Sequence, residues 1–459
     1  MKLKKLVVKN FKSLKDCEIE LDKFNVLIGP NASGKTNLVE VFKLLRKIYV
    51  ERDENPFLEW WGYNNVVWAG KEELPITIGM LFDVEGYDVY FETTFTGTGG
   101  SFRILKETLE VVGYIKITKS GDIVQVEYSE NWSESIFKEL SKLESLIRLK
   151  PTEDLSQTSK KLLSRIRYVL KEKKFEFNFS PNRTLLDLWK FLTEAPLLII
   201  IESESSVTTV KFTSFHKIYY LGLGQRNNPL PIIFPDTKDY QLEGRRLSSL
   251  ILQFFRRNSS LRQVYMAHLR VPPYPRKETT LKEDASNLVP LLYNIWLREG
   301  RLPDEIAKPL SMAFPNMRVF FQLTEDGRVM MKVFENDLEL APPCISDGFY
   351  KVLALLTAVY LKPPLLIIDE IENSLHPETL ELIIDTLRES ESQVIITTHS
   401  PVVVDIVEPS NLVLVDKEEG ETVFKRIRNP EKIKKFLNEK GITLSEGWLY
   451  GSLFENDEQ

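Results

Sequence analysis

The stretch that decides the fold is Gly29-Pro30-Asn31-Ala32-Ser33-Gly34-Lys35-Thr36, which matches the pattern G-x-x-x-x-G-K-[ST] without a mismatch. A nearly continuous apolar run, Phe24–Ile28, precedes it, and apolar residues at helical spacing follow it from Leu38 onward. A buried strand, a glycine loop and a helix in this order form an anion site, because the loop N–H groups and the positive helix end point at one place. The sequence therefore predicts a phosphate-binding loop.

The residue types of this loop specify a Mg²⁺-bound nucleotide. Lys35 is expected to neutralise the β- and γ-phosphates, and the Thr36 hydroxyl is expected to ligate Mg²⁺. A chance match on an ordinary loop is the alternative, and the strand before the motif and the helix after it argue against that. The predicted nucleotide-binding residues here are Gly29, Pro30, Asn31, Ala32, Ser33, Gly34, Lys35, Thr36 and Asn37.

A second element ends in two carboxylates. The apolar residues Leu365–Ile368 predict a buried strand, and Asp369 and Glu370 follow directly. Ligands bind at the carboxyl ends of strands in open α/β sheets. We therefore predict that Asp369 holds Mg²⁺ and that Glu370 orients or deprotonates the attacking water. A strand that ends in a solvated acidic loop is the alternative.

Two further candidates accompany these motifs. His399 follows the apolar strand Gln393–Thr398, from where it is expected to contact the γ-phosphate or the attacking water, although such a histidine is often structural. Ser346-Asp347-Gly348 opens a strongly apolar segment. Ser346 is a natural N-cap, so this helix also presents its positive end.

Composition bounds the class of protein. A chain of 459 residues predicts two or three structural units. The two cysteines, Cys17 and Cys344, have no metal-ligand spacing, and a disulfide framework is excluded, which fits a reducing cytoplasm. No targeting or membrane segment is predicted. The net charge of −6 argues against a generally basic surface, but not against a local basic patch.

The remaining chain gives weaker signals. Residues 76–126 alternate like an antiparallel meander. Residues 133–174 show helical spacing, which fits a surface helical hairpin or a short coiled-coil arm. Residues 242–270 are predicted to be helical and carry six arginines, which form either a salt-bridged face or a nucleic-acid contact: Arg245, Arg246, Arg256, Arg257, Arg262 and Arg270.

Four segments together resemble the ABC-type ATPase heads of the SMC and RecF group: GPNASGKTN, CISDGFYK, LLIIDEIENSLHP and IITTHSP. The greatest likeness is to stand-alone ATPases similar to the OLD (overcoming lysogenization defect) family, here without a Toprim domain. The resemblance covers about residues 1–100 and 265–459. It implies an α/β fold, a two-lobed P-loop NTPase head whose mixed sheet joins an antiparallel meander to a parallel core. The implied division is residues 1–128 for lobe I, 129–264 for a mostly helical insertion and 265–459 for lobe II.

The resemblance also implies how the site is completed. In such heads the signature serine contacts the nucleotide of a second protomer, so Ser346 and Gly348 would contact the partner's γ-phosphate in an ATP-sandwich homodimer. Residues 373–376 would communicate across that interface, and Lys12 and Ser13 would approach the phosphates. A glutamine for the usual Mg²⁺-contacting loop is missing, which leaves Asn64 or Asn65 as candidates.

These expectations lead to an ATPase that uses ATP and Mg²⁺ and acts on DNA, RNA or a separate nuclease or effector protein, in genome maintenance or phage defence. One alternative is the motor of a transport or translation complex. Another is an intrinsic nuclease, but the residues after His399 show no convincing acidic metal-binding pattern.

Overall fold

The structure is a computed structural model that describes residues 1–129, 174–178, 183–187, 198–204, 207–213, 244–262, 264 and 269–451. The chain divides into two compact units: Met1 with Glu54–Gln253, and Lys2–Asp53 with Phe254–Gln459. The predicted hairpin or coiled-coil arm at residues 133–174 lies almost wholly outside the described ranges. The role of residues 129–264 therefore stays a prediction.

The strands, in chain order, are β1 (Lys2–Phe11), β2 (Leu14–Glu20), β3 (Phe24–Ile28), β4 (Ile76–Val84), β5 (Tyr87–Thr96), β6 (Arg103–Val111), β7 (Ile115–Ser120), β8 (Ile123–Tyr128), β9 (Lys174–Asn178), β10 (Leu198–Glu204), β11 (Val207–Thr213), β12 (Ser259–Leu261), β13 (Met317–Leu323), β14 (Val329–Glu335), β15 (Leu338–Leu340), β16 (Leu365–Ile368), β17 (Gln393–Thr398), β18 (Leu412–Glu418) and β19 (Glu421–Arg426).

The helices are α1 (Lys35–Arg46), α2 (Gly244–Arg257), α3 (Leu288–Glu299), α4 (Asp304–Ala313), α5 (Asp347–Tyr360), α6 (Pro377–Glu389), α7 (Pro401–Ile406), α8 (Pro430–Lys440) and α9 (Leu444–Leu449). Short helical turns occur at Lys47–Glu51, Leu58–Trp60, Tyr63–Asn65, Trp68–Gly70, Thr98–Gly100, Pro342–Cys344 and Pro409–Asn411. Among the described residues, no helix combines the length and apolarity needed to cross a membrane.

The second unit is built on a sheet with the order β12-β16-β17-β3-β18-β19. Strands β12 to β18 in this order pair in parallel, and β19 is antiparallel to β18. Every residue of β3, β16 and β17 is buried, as expected for parallel strands covered on both faces. In register, Ile28 pairs with Thr398, and Ile368 pairs with Ile396. The phosphate-binding loop, Asp369 and His399 therefore follow the carboxyl ends of three parallel strands, on the same side of one sheet.

Helix α5 lies in the core of the second unit. Ten of its residues are buried, and the Ser346 hydroxyl caps its N-terminus by accepting from the Phe349 N–H at 3.2 Å. A helix that is apolar on nearly all sides belongs in a core. The same unit also contains the antiparallel hairpin β1-β2 and the three-stranded sheet β13-β14-β15.

The first unit contains the antiparallel meander β4-β5-β6-β7-β8-β9, in which neighbours in the chain are neighbours in the sheet. A separate hairpin, β10-β11, belongs to the same unit. The alternation of apolar and polar residues over 76–126 predicted strands β4 to β8 of this meander, whereas β9 was not predicted. The predicted fold class, a mixed α/β protein with antiparallel strands and a parallel core, is confirmed.

One predicted element is wrong in extent. Helix α2 ends at Arg257 instead of continuing to Arg270. The chain then becomes extended, because Ser259–Leu261 pairs with Leu366–Ile368 and adds a strand beside β16. This segment, which the prediction assigned to the insertion, is therefore part of the parallel sheet.

Candidate active site

The loop of residues 29–34 turns sharply between β3 and α1. Ala32 and Gly34 have left-handed backbones, with φ of 62° and 108°. A Cβ on Gly29 would lie 2.0 Å from the carbonyl oxygen of Val415, and one on Gly34 would lie 2.1 Å from Thr422 Oγ1. Both positions therefore leave no room for a Cβ beside the neighbouring strands, and at Gly34 the left-handed turn favours glycine as well.

The loop has the features of an anion cradle. Gly34 is the N-cap of helix α1 and has no side chain, so no side-chain cap occupies the first backbone N–H groups of the helix. Ser33 is 1% exposed, and among the described residues its hydroxyl has no hydrogen-bond partner. A buried hydroxyl without a partner is costly unless a ligand completes it. These residues fit a bound phosphate chain.

Lys35 is bent back onto the loop that it follows. Its Nζ donates to the carbonyl oxygens of Gly29 and Pro30 at 2.8 and 2.9 Å. Burial lowers the pKa of Lys35, and the carboxylates of Asp369, Glu372 and Glu370 oppose that shift. The lysine therefore holds the loop closed from within, with its ammonium beside the space that phosphates would occupy.

Asp369 and Thr36, the two predicted Mg²⁺ ligands, lie in contact. Thr36 Oγ1 donates to Asp369 Oδ2 at 3.3 Å, and Thr397 Oγ1 donates to Asp369 Oδ1. Asp369 is only 7% exposed. A hydroxyl and a carboxylate are oxygen donors of the kind that Mg²⁺ prefers, with phosphate oxygens and water completing its shell. The residues present therefore fit the ion.

A charged network that sequence reasoning missed adjoins Asp369. Arg262 Nε lies 3.6 Å from Asp369 Oδ2, and its Nη1 lies 3.3 Å from Glu40 Oε1. Lys12 Nζ pairs with the same Glu40 carboxylate. Lys12, expected near the phosphates, is thus bound to α1, and Arg262 lies beside the Asp369 carboxylate instead of on the arginine-rich helix.

Glu370 stands at the end of β16 with its side chain exposed. Its backbone is left-handed, with φ of 51°, which is uncommon for a glutamate. Its N–H donates to Thr397 Oγ1 at 3.0 Å, and Asn373 Nδ2 donates to its Oε2 at 2.8 Å. The carboxylate is thus aimed outward from the sheet edge, next to Asp369.

His399 is held by Glu372, a residue that the motif analysis did not single out. His399 Nδ1 lies 3.0 Å from Glu372 Oε1, and the His399 N–H donates to the same oxygen at 3.0 Å. Thr398 Oγ1 binds Glu372 Oε2 at 2.9 Å. With Nδ1 occupied, the free contact of the half-exposed ring is through Nε2. Glu372 lies two residues after Glu370, and this position close to the Asp369-Glu370 pair is the sequence signal that could have identified it.

Lys351 is another residue that sequence reasoning missed. It lies on α5 and is 5% exposed, and its Nζ donates to the carbonyl oxygen of Glu370 at 2.9 Å. Burial lowers its pKa to about 8, opposed by Glu372, Glu370 and Asp369. A single lysine within a strongly apolar helix was the available signal.

Ser346 and Gly348 lie at the start of α5. Ser346 is exposed, and no described hydrogen bond joins it to the phosphate-binding loop of the same chain. A Cβ on Gly348 would lie 2.6 Å from the carbonyl oxygen of Ser374. Arg270, the last of the six arginines, donates to Asp347 Oδ1 at 2.7 Å, so it too lies outside the arginine-rich helix.

Asn37 and Ser13 form a polar bridge beneath the loop. Asn37 Nδ2 donates to Ser13 Oγ at 2.7 Å, Ser13 Oγ lies 2.6 Å from Thr422 Oγ1, and Thr422 Oγ1 donates to the Ser33 carbonyl at 2.8 Å. These contacts fasten the loop to β19. In this arrangement the Asn37 amide supports the loop.

The sequence from residue 24 to residue 405 matches the protein family described as "AAA domain, putative AbiEii toxin, Type IV TA system". The chain belongs to this family. The matched region of this AAA-domain protein runs from β3 into α7 and includes the phosphate-binding loop, Asp369, Glu370 and His399. The resemblance to ABC-type ATPases of the SMC and RecF group is thereby confirmed.

Curated relatives match this AAA-domain protein over short segments. It is 48% identical over 46 residues to the DNA replication and repair protein RecF of Vibrio campbellii, which is 10% of this chain and 13% of RecF. It is 36% identical over 91 residues to an uncharacterized protein of Methanocaldococcus jannaschii, which is 19% of this chain and 11% of that protein. Each match spans well under a fifth of the relative's length.

Among solved structures, the Smc head domain with an extended coiled coil from Pyrococcus furiosus, bound to the C-terminal domain of ScpA, has a TM-score of 0.44 and 13% sequence identity. That comparison covers 95% of this chain and 99% of the other.

Proposed function

We propose that the chain binds ATP with Mg²⁺ and hydrolyses it to ADP and phosphate. The observation that carries the proposal is the convergence of the phosphate-binding loop, the Thr36–Asp369 contact and the outward Glu370 carboxylate at one sheet edge. Family membership supports the same activity, since the matched region contains all these residues.

The residues divide the work of hydrolysis. The loop N–H groups and Lys35 hold the β- and γ-phosphates, and Thr36 and Asp369 would hold Mg²⁺, which neutralises phosphate charge when bound. Glu370 accepts a proton from the attacking water as the water oxygen bonds to the γ-phosphorus. The bond from that phosphorus to the bridging oxygen breaks, and ADP leaves with the bridging oxygen. His399, oriented by Glu372, contacts the γ-phosphate or the water through Nε2.

We further propose that two chains close head to tail around two ATP molecules. Ser346 and Gly348, at the exposed positive end of α5, then contact the γ-phosphate held by the partner. The exposure of Ser346 at the start of α5 leaves its side chain accessible to a second chain, which supports a contact in trans.

Two measurements test this activity. The parent protein is expected to release phosphate from ATP in the presence of Mg²⁺. Glu370→Gln is expected to bind ATP normally but hydrolyse it about 10²- to 10⁴-fold more slowly, because the proton acceptor is removed. Glu381→Gln, an exposed carboxylate on α6, is the matched control and should retain the parent rate. Parent-rate turnover by Glu370→Gln would remove Glu370 from the role of base.

A mixing experiment tests the dimer. Glu370→Gln alone should sediment as a dimer with ATP, and Ser346→Arg alone should bind ATP as a monomer. When the two are mixed, one composite site has an intact Glu370 and an intact partner Ser346, so activity should reappear. No recovery, together with a monomeric Glu370→Gln protein in ATP, would refute head-to-tail closure.

The proposed target of the closed dimer is nucleic acid or a nucleic-acid-processing partner protein. The name of RecF, a DNA replication and repair protein, supports this direction. So do Arg256 and Arg257, both exposed at the end of α2. If the purified protein alone cut DNA with Mg²⁺ or Mn²⁺, the alternative of an intrinsic nuclease would replace this proposal.

A further inference from the structure

Lys351 places a buried cation directly behind the proposed base. Its Nζ donates to the Glu370 carbonyl oxygen at 2.9 Å, and the Asn373 N–H donates to the same oxygen at 3.2 Å. The Glu370 peptide thus has one restraint from its own loop and one from α5. A non-glycine residue with a left-handed backbone persists only when its surroundings hold it.

The charges around Lys351 favour this position. The carboxylates of Glu372, Glu370 and Asp369 all act on the ammonium, and they offset part of the cost of burying it. An aliphatic side chain of similar length would fill the space but would provide neither the donor nor the positive charge. The position therefore demands more than packing.

A second contact joins the same two elements. The α-carbon of Gly348 faces the Ser374 carbonyl so closely that a Cβ would lie 2.6 Å from that oxygen. Gly348 lies in the first turn of α5, and Ser374 lies in the loop that follows Glu370. The N-terminal half of α5 and this loop therefore touch at two points, Lys351 with Glu370 and Gly348 with Ser374.

We propose that Lys351 is a positioning residue that couples α5 to Glu370 within one chain. This inference rests on the proposed function, in which Ser346 and Gly348 engage the nucleotide of the partner. Engagement sets the position of the first turn of α5, and Lys351 transmits that position to the Glu370 carbonyl. Each chain thereby aligns its own base most accurately when it also holds the partner's γ-phosphate, so the one intact site of the mixed dimer should keep only part of the parent rate.

Lys351→Met tests the coupling because methionine preserves length and apolar volume. We expect kcat to fall about tenfold to a hundredfold, the cost of a base displaced by about 1 Å, while KM and ATP-dependent dimerisation stay at parent values. Lys351→Arg, which keeps a cation with donors, should recover part of kcat. Lys362→Met, an exposed lysine just beyond the same helix, is the matched control and should retain the parent kcat.

The outcomes separate this inference from the proposed function. A parent protein without ATPase activity would refute the function itself. An active parent together with parent kcat in Lys351→Met would overturn the role of Lys351 alone. A lower kcat accompanied by a higher KM and a lower melting temperature would also overturn it, because that combination indicates a purely structural lysine. If Lys351→Met does not fold, Lys351→Gln replaces it: a lower kcat at constant KM supports coupling, and a parent kcat refutes it.

Discussion

Thr36 and Asp369 lie 333 positions apart in the chain, yet the Thr36 hydroxyl donates to Asp369 Oδ2 at 3.3 Å. The same carboxylate oxygen has Arg262 Nε at 3.6 Å. A metal ion held by Thr36 and Asp369 would therefore meet a cation that is part of the protein. We therefore expect Arg262, a residue outside the motifs, to influence the Mg²⁺ concentration that the site requires.

Removing the Arg262 charge should strengthen the response to Mg²⁺. We expect Arg262→Gln to lower the half-saturating Mg²⁺ concentration for ATP hydrolysis by about threefold, corresponding to roughly 0.7 kcal/mol for a partly exposed ion pair. A Mg²⁺ titration at saturating ATP measures this. Arg298→Gln, an exposed arginine on α3, provides the control. A higher Mg²⁺ requirement in Arg262→Gln would show that the arginine supports the metal instead of competing with it.

Lys35→Ala should weaken nucleotide binding. Its ammonium lies within the loop, and a charge-assisted contact with phosphate is worth about 1.5–3 kcal/mol, so we expect affinity to fall about tenfold to a hundredfold. Equilibrium binding of a fluorescent ATP analogue measures the change. Lys43→Ala, in the last turn of the same helix, should bind as the parent does. Equal losses in both variants would point to damage of α1 instead.

Gly29→Ala should destabilise the second unit and abolish nucleotide binding. The added methyl group would meet a backbone carbonyl, that of Val415, which no side-chain rotation removes. Overpacking of this kind costs about 1–3 kcal/mol. Urea denaturation gives the decrease in unfolding free energy. Gly121→Ala has open space around the new methyl but a left-handed backbone (φ 60°), so it should lose some stability. It should still bind nucleotide as the parent does, because Gly121 lies in the turn between β7 and β8 of the first unit. Unaltered stability and binding in Gly29→Ala would show that the loop adjusts freely.

The stability contributed by Lys351 should rise with pH. Burial lowers its pKa from 10.5 to about 8, so between these values the unfolded chain binds the proton that the folded chain has released. Below pH 8 the folded protein carries the full cost of the buried ammonium, and above it that cost diminishes. The unfolding free energy of the parent relative to Lys351→Met should therefore increase from pH 7.5 to 9.5, by at most roughly 1.4 kcal/mol per pH unit. If the difference in unfolding free energy between the parent and Lys351→Met did not change with pH, the lowered pKa of Lys351 would be contradicted.

Nucleic-acid binding, if it uses the end of α2, should depend on Arg256 and Arg257. Exchanging both for glutamate should weaken DNA binding at all sequences and reduce the slope of log affinity against log salt by about 1 for each phosphate that the protein no longer neutralises. Filter binding at several salt concentrations measures this. The corresponding change of Arg298 and Arg301, exposed near the end of α3, is the control. If the DNA affinity of the parent protein did not change with salt concentration, a contact between these arginines and phosphates would be excluded.

The parts of the fold that sequence predicted are those with a local signature. An apolar strand followed by glycines and a lysine specifies the phosphate-binding loop within a dozen residues, and the strand before Asp369 is equally local. The antiparallel meander was predictable for the same reason. The roles predicted for the site residues, including Ser346 in trans, stay predictions.

The parts that sequence could not predict depend on pairing between distant segments. Arg262 carries no motif, and only the pairing of Ser259–Leu261 with Leu366–Ile368 brings it to Asp369. In the sequence, Lys351 is only a charged residue within an apolar helix, and its importance becomes visible only from its hydrogen bond to Glu370. In the sequence, Glu372 is one of several neighbouring acidic residues, and only the folded structure shows its contact with His399. Each of these contacts joins two separate elements of the fold.

The position of β3 in the middle of its sheet has a consequence for synthesis on the ribosome. Its neighbours are β17 and β18, and the Asn25 side chain bonds to a carbonyl 369 positions further along the chain. The strand that leads into the phosphate-binding loop is thus translated long before β17 and β18, the two strands that pair with it. The nascent chain must keep a fully buried strand unpaired during that interval, so this protein should depend on chaperones during biogenesis and acquire nucleotide affinity only after β18 has left the ribosome.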